Sequence, residues 1–315
     1  MDKKVRELFI NYNKKNISYV FLLSNSISVL ISKMLIEKFQ LNESNLFVFS
    51  FRNTDASLIT KKYINVKSKR FDSIIGKIFW NSPAGLRILK KIPNSKFILL
   101  TEWAYRESEK LINHRNCIEH VYLEMGQHSY MNIPTFSPKG LSFKNRFLKN
   151  WKNRLSEIDE LAHFYFRDDA SLFIGMIDGV FPKIKREKVF VLDNYQELKN
   201  FYIPKLKNKK VIGLTCASRR IKKNNLEKML NTLFKKIPKG SIIKAHPSFY
   251  SNKVITDEFK TTFSKVSKGE YLLCPNNVIL ELEILFENKI FYGSKTALSR
   301  YARKMGSEFH QIKLY

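Results

Sequence analysis

The sequence predicts an α/β chain built as two Rossmann-like domains facing a central cleft. Three observations lead there. At 315 residues the chain has room for two domains of roughly 150 residues each. With 44% apolar residues, 25 Phe and 14 Tyr among them, it can fill two cores and is not a disordered chain. Short apolar runs alternate with stretches of helical period in two series, separated by a basic, Pro-containing stretch, which is the pattern of parallel sheets covered by helices.

In the first series Ile17–Leu23 (ISYVFLL) reads as a strand. Ser26–Phe39 (SISVLISKMLIEKF) follows as a helix, with Ser26 placed to cap it. Leu46–Phe51 reads as a strand, Phe71–Ile92 as a mainly helical stretch broken near Ser82-Pro83, and Phe97–Thr101 as a strand. A helix over Glu107–His114 and a strand over Glu119–Glu124 complete the set. Residues 131–170 break the alternation, and the domain connection is expected there, giving domains 1–155 and 156–315. The second series has strands at Lys188–Leu192, Val211–Cys216, Ser241–Ala245, Tyr271–Cys274 and Lys289–Tyr292. Its helices lie at Asn225–Ile237 and Val278–Phe286.

The net charge of +28 attracts polyanions: nucleic acid, an anionic membrane face or anionic sugars. Lys-, Asn- and Ile-rich composition also follows from genome bias, and sign alone does not choose. The basic residues are spread along the chain, and no RNP, KH, helix-turn-helix or zinc pattern occurs, so no nucleic-acid partner is expected. Cys117, Cys216 and Cys274 fit neither a metal spacing nor an even-numbered disulfide framework. That points to a reducing compartment. The charged N-terminus does not read as a secretory signal, and Ile17–Leu35 is too interrupted by polar residues for a span. The expected location is cytoplasmic, with a peripheral place on the inner membrane face as an option.

Ligands of open parallel sheets bind at the carboxyl ends of the strands, so chemistry is sought there. Three such ends stand out. Glu124-Met125-Gly126 follows EHVYL; a carboxylate here would face the cleft and act as a base, and Gly126 permits a tight turn. A capping or surface Glu fits the same letters. His246-Pro247 follows SIIKA; Pro247 ends the ladder and orients an imidazole able to meet a phosphate. A buried His bonded to a carbonyl is the alternative. Tyr292-Gly293-Ser294-Lys295-Thr296-Ala297-Leu298 puts glycine and hydroxyls before a helix start, a phosphate cradle without Walker spacing. An ordinary N-cap by Ser294 or Thr296 is the other reading.

Acid-x-Gly, then His-Pro, then a hydroxyl pair before Ala-Leu, in that order, resembles the bacterial sialyltransferases of GT-B type. The closest likeness is to glycosyltransferase family 52, the lipooligosaccharide and capsule sialyltransferases. Phe21–Ile36 is also similar to that family's opening. The resemblance implies Glu124 as base and His246 as the group meeting the CMP phosphate. It implies Ser294, Lys295 and Thr296 around that phosphate, with Gly126 and Pro247 shaping the two turns. Either Glu281 or Glu283 would bond the CMP ribose. The family's second acidic position is Met125 here, and Lys295 replaces its first hydroxyl.

The implied reaction is inverting transfer of sialic acid from CMP-sialic acid to a glycan acceptor, with no cofactor and no metal required. The acceptor is expected to be lipid-linked, and the family suggests a homodimer. Ser142–Leu155 (SFKNRFLKNWKNRL) repeats Phe143, Phe147, Trp151 and Leu155 every four residues beside Lys and Arg. That suits an anionic membrane surface or simple packing on another face. Asp168-Asp169 is the nearest acidic pair and reads as a solvated turn in the connector. Transfer of a related CMP-nonulosonic acid (legionaminic or pseudaminic) or of Kdo, glycerophosphate transfer, a catalytically inactive module and a polyanion-binding protein remain alternatives.

Overall fold

A computed structural model describes residues 3–51, 54–66, 83–92, 94–103, 106–133, 135–136, 166–217, 225–250 and 253–314. The basic stretch Ser142–Leu155 and the expected helix before Pro83 lie outside the described residues. The chain forms two compact units, Met1–Glu197 and Leu198–Tyr315.

The first unit carries β1 (Ser18–Leu23), β2 (Leu46–Ser50), β3 (Ile64–Asn65), β4 (Phe97–Thr101), β5 (Cys117–Leu123), β6 (Thr135–Phe136), β7 (Phe166–Arg167), β8 (Leu172–Gly175) and β9 (Val189–Val191). Seven of these form one parallel sheet in the order β3-β2-β1-β4-β5-β8-β9, and β6 pairs with β7 apart from it. All six residues of β1 and all five of β4 are buried, as a central strand covered on both faces requires. The Ser26–Phe39 helix has the predicted bounds, but Asn25 is its cap: Ser28 N–H donates to Asn25 Oδ1 at 3.0 Å.

The second unit carries β10 (Val211–Leu214), β11 (Ile242–Lys244), β12 (Leu272–Leu273), β13 (Ile290–Gly293) and β14 (Glu308–Gln311). They form a parallel sheet in the order β12-β11-β10-β13-β14. Helices Leu226–Phe234 and Lys253–Ser267 bury Leu226, Met229, Leu230, Leu233, Phe259 and Phe263 in one core. At 25 cal/mol per Å², each such side chain contributes about 2 kcal/mol before conformational entropy is counted.

The connection lies later than the sequence suggests. Strands β8 and β9 continue the first sheet by pairing outward from β5, so the chain leaves the first unit only after Val191. Each sheet runs outward in one direction from its first strand and then restarts on that strand's other side. The first switches between β1 and β4, the second between β10 and β13, the strand reversal at which ligands of doubly wound sheets bind.

Candidate active site

Three adjacent strand ends meet at the second sheet's switch point. Leu214 of β10 is level with Lys244 of β11 and with Gly293 of β13. Thr215, His246 and Ser294 therefore follow on neighbouring strands at one edge. A Cβ at Gly293 would come 2.7 Å from Leu214 Cβ and 3.0 Å from Leu214 O, so only glycine lets β13 end this close to β10.

His246 is exposed, which sets aside the buried-histidine alternative. Its backbone N–H donates to Thr215 Oγ1 at 2.8 Å. Its ring Nδ1 accepts the Ser248 N–H at 3.1 Å and lies 2.9 Å from Ser248 Oγ. A backbone N–H can only donate, so in the neutral imidazole Nδ1 accepts and the hydrogen sits on Nε2. Pro247 opens the one-turn helix Pro247–Tyr250 that delivers Ser248 to this position. The ring is thus fixed with an N–H donor on the side away from its own backbone. Thr215 is a member of this set that sequence reasoning missed. Its only signal is a hydroxyl near the end of the predicted Val211–Cys216 strand.

Ser294 Oγ is buried with no hydrogen-bond partner among the described residues. A buried hydroxyl left unpaired costs on the order of 1–3 kcal/mol, so a ligand acceptor there would relieve a standing penalty. Neither Ser294 nor Thr296 caps the following helix, which is capped at Ala297 without a side-chain bond and runs only from Leu298 to Lys304. The cradle is therefore made by the loop, and the helix start expected to complete it is too short to add an anion site. Thr296 O accepts from Ser299 N and Oγ, which closes the loop, and Lys295 stands exposed at its tip.

The two acidic candidates on the preceding helix, Leu280–Phe286, separate cleanly. Glu283 is buried and fully engaged: Oε1 accepts Tyr202 Oη at 2.6 Å and Lys205 N at 2.8 Å, and Oε2 accepts Leu206 N at 3.0 Å. It anchors residues 202–206 and is not available to a ribose. Glu281, two residues away on the same short helix, is partly exposed. Burial raises its carboxyl above the usual carboxylate range, opposed by Lys244. Lys244 itself donates to Pro275 O at 2.9 Å and Asn276 O at 2.7 Å, tying the strand that carries His246 to the loop before Glu281. Burial lowers its ammonium pKa, opposed by Cys274 and Glu281.

In the first unit Glu124 follows β5 as predicted, but it does not lie open at the strand end. It is 0% exposed. Tyr130 Oη donates to Oε1 at 2.7 Å, and Met176 N–H donates to Oε2 at 2.9 Å. Gly126 takes φ 85° and starts the one-turn helix Gln127–Tyr130, so the tight turn read from the sequence is present. The departure at Met125 is a buried side chain in the cluster of Trp103, Tyr122, Phe166 and Phe173.

The first sheet's own switch point is filled by protein. Glu102, directly after β4, accepts Ser24 N–H at 2.6 Å, Ser28 Oγ at 2.6 Å and a short bond from Ser24 Oγ. Its carboxylate occupies the N-terminal end of the Ser26–Phe39 helix, where the helix dipole favours an anion. Asp168-Asp169 is not a free acidic pair either. Asp169 holds Arg167 through both oxygens at 2.9 and 2.6 Å and lies 3.5 Å from His120. Among the described residues no group of three or more His, Cys, Asp or Glu is placed to hold a metal ion, and no helix is long and apolar enough to cross a membrane.

No family model and no curated protein matches the chain. Solved structures do. A UDP-N-acetylglucosamine 2-epimerase from Rickettsia bellii matches with a TM-score of 0.50 and 12% identity, over 94% of this chain and 79% of that one. A putative UDP-N-acetylglucosamine 2-epimerase from Listeria monocytogenes matches with a TM-score of 0.52 and 8% identity, over 94% and 79%. A Photobacterium 2,6-sialyltransferase, solved with CMP and lactose, matches with a TM-score of 0.46 and 10% identity, over 89% and 68%. The likeness to the first two shows the fold: this chain has the two parallel, Rossmann-like sheets of GT-B proteins. The third is too weak to add to that.

Proposed function

We propose that this chain is a GT-B glycosyltransferase that moves a sialic-acid-type sugar from a CMP donor to a glycan acceptor with inversion. The observation that carries the reading is that an Nε2–H-bearing His246 and the Ser294 hydroxyl, buried and without a partner among the described residues, follow the two strands that flank β10 at one edge of the sheet. The Ser294 hydroxyl has no acceptor among the described residues, and the His246 ring carries a hydrogen on Nε2. A nucleotide-sugar phosphate has the oxygens to satisfy them and gains charge as the glycosidic bond breaks. Donors fixed before that charge appears stabilise it without reorganising. Lys295 adds a cation, and Glu281 is the carboxylate left to read the ribose.

In this reading protein groups neutralise the single phosphate, no metal or other cofactor is needed, and Glu124 receives the acceptor proton. The enzyme works in the cytoplasm on a lipid-linked acceptor of lipooligosaccharide or capsule. The basic stretch Ser142–Leu155 supplies a membrane-surface contact, which flotation with anionic vesicles at low and high salt tests. The sequence motifs address nucleotide and phosphate, so a related CMP-nonulosonic acid or Kdo satisfies the same site.

The test is a donor panel of CMP-Neu5Ac, CMP-Kdo, CDP-glycerol and UDP-GlcNAc, with nucleotide release followed with and without glycan acceptor and with and without EDTA. Acceptor-dependent CMP release that survives EDTA and falls in His246→Asn supports the reading. Turnover of UDP-GlcNAc alone, or CMP release unaffected by His246→Asn, overturns it.

A further inference from the structure

We propose that Tyr130 is a catalytic proton relay, carrying the proton of the acceptor hydroxyl to Glu124. The inference rests on the transferase reading above and resolves a difficulty that the structure creates for it. A base must come within hydrogen-bond reach of the proton it removes. Glu124 exposes none of its surface, and each of its oxygens already receives a donor. The wall beside it is tight: a single methyl at Gly175 would fall 3.1 Å from Glu124 Oε2 and 2.6 Å from Val180 Cγ1. An acceptor sugar has no direct approach to that carboxylate.

The route outward is the residue that donates to it. Tyr130 is partly exposed, and its hydroxyl lies 2.7 Å from Glu124 Oε1. Its position is set from several sides. Gly126 turns the chain at φ 85°, Met125 N–H donates to Ser129 Oγ at 2.9 Å, and Phe181 N–H donates to Ser129 O at 2.7 Å. Tyr130 closes the resulting single helical turn. Its ring packs against the cluster of Trp103, Tyr122, Met125 and Phe181. A tyrosine held this firmly, with its oxygen on a buried carboxylate, can accept one proton while it gives up another.

The step balances. The acceptor O–H proton moves to Tyr130 Oη as the Tyr130 proton moves to Glu124 Oε1. The acceptor oxygen forms its bond to the anomeric carbon of the donor. The bond from that carbon to the phosphate oxygen breaks, and its electron pair leaves with the nucleotide. Glu124 then returns its proton by the same path. No oxidant or further reactant is needed.

The experiment is transfer by Tyr130→Phe, Glu124→Gln and the double variant, with folding checked by circular dichroism. Both single variants should lose 10²- to 10⁴-fold in kcat, the usual range for removing general base catalysis, with donor KM changed less than threefold. The double variant should be no worse than either single one, because both break one path. Acceptor-independent release of CMP to water should persist. Tyr130→Phe within threefold of wild-type kcat overturns the relay and leaves the transferase reading standing. A wild-type protein that transfers from no donor in the panel overturns both. Should Tyr130→Phe fail to fold, single-turnover transfer by the wild-type protein in mixed H₂O and D₂O decides. Two protons moving together give a bowed dependence on deuterium fraction, and a straight line overturns the relay.

Discussion

The two sheets have the same strand order around their switch points, yet the crevices there are built differently. In the first, Glu102 answers the donors of Ser24 and Ser28, and the protein's own carboxylate fills the place where a phosphate would sit. In the second, the corresponding edge presents His246 with its hydrogen on Nε2, a buried Ser294 hydroxyl without a partner among the described residues, and an exposed Lys295. One is a finished piece of structure and the other an unfinished one. Shared topology therefore does not imply shared ligand chemistry; the polar atoms at the edge decide which crevice takes an anion.

The largest effect that would break this comparison is at His246. Replacement by Asn keeps a similar size but removes the titratable donor, and CMP-sugar turnover should fall 10²- to 10⁴-fold with folding intact. Retained turnover, read as CMP release, would mean that the second crevice is not the working one. Next in size is Glu102→Ala. It removes the acceptor of the Ser24 N–H and Ser24 hydroxyl, although the Ser28 hydroxyl keeps Asn25 O, and should cost about 3 kcal/mol in urea unfolding, while CMP affinity stays within twofold. A protein of unchanged stability would show that the first crevice is not held shut by this carboxylate.

The third is a dependence on pH confined to the first unit. Burial in β5 pushes His120 down to about 4, with Asp169 pulling it up and Arg167 pushing it down. In the unfolded chain a His titrates near 6.5, so below that pH the unfolded state binds more protons than the folded one. Stability is full above about 6.5 and should fall by roughly 3 kcal/mol as pH drops toward 4, at 1.36 kcal/mol per unit. His120→Gln should flatten that slope in unfolding measured between pH 4 and 7. The smallest effect is Ser294→Ala. It should weaken CMP binding about tenfold in calorimetry, the worth of one hydrogen bond to a charged group. Stability should hold or rise slightly, because the lost hydroxyl has no protein partner among the described residues.

Much of the fold was legible in the sequence and the site less so, for particular reasons. The Ser26–Phe39 helix and strands β1, β2, β4 and β5 are dense in apolar residues and lie within about two residues of their predicted bounds. The Lys253–Ser267 helix gave no signal, because KVITDEFKTTFSKVS is rich in β-branched residues and buries little beyond Phe259 and Phe263. The short LFIG run of β8 hid behind the broken stretch, and with it the true end of the first unit. Glu281 and Glu283 could not be told apart, since two positions on a helix of seven residues point to opposite sides and nothing in the letters sets its phase. The burial of Glu124 was invisible for a different reason. It is imposed by Tyr130 and by Gly175–Met176, loops that reach it only in the folded chain.

Gly293 shows how little of such a site tolerates drift. Its backbone φ is ordinary, so no conformational rule would mark it, yet any side chain there collides with Leu214 on the neighbouring strand. In a saturation library selected for turnover, this position should come back almost invariant, although it offers a ligand no functional group. Lys295, two residues on and exposed at the loop tip, should accept many replacements at a modest penalty. Conservation read without that distinction would rank the spacer above the residues that do the chemistry.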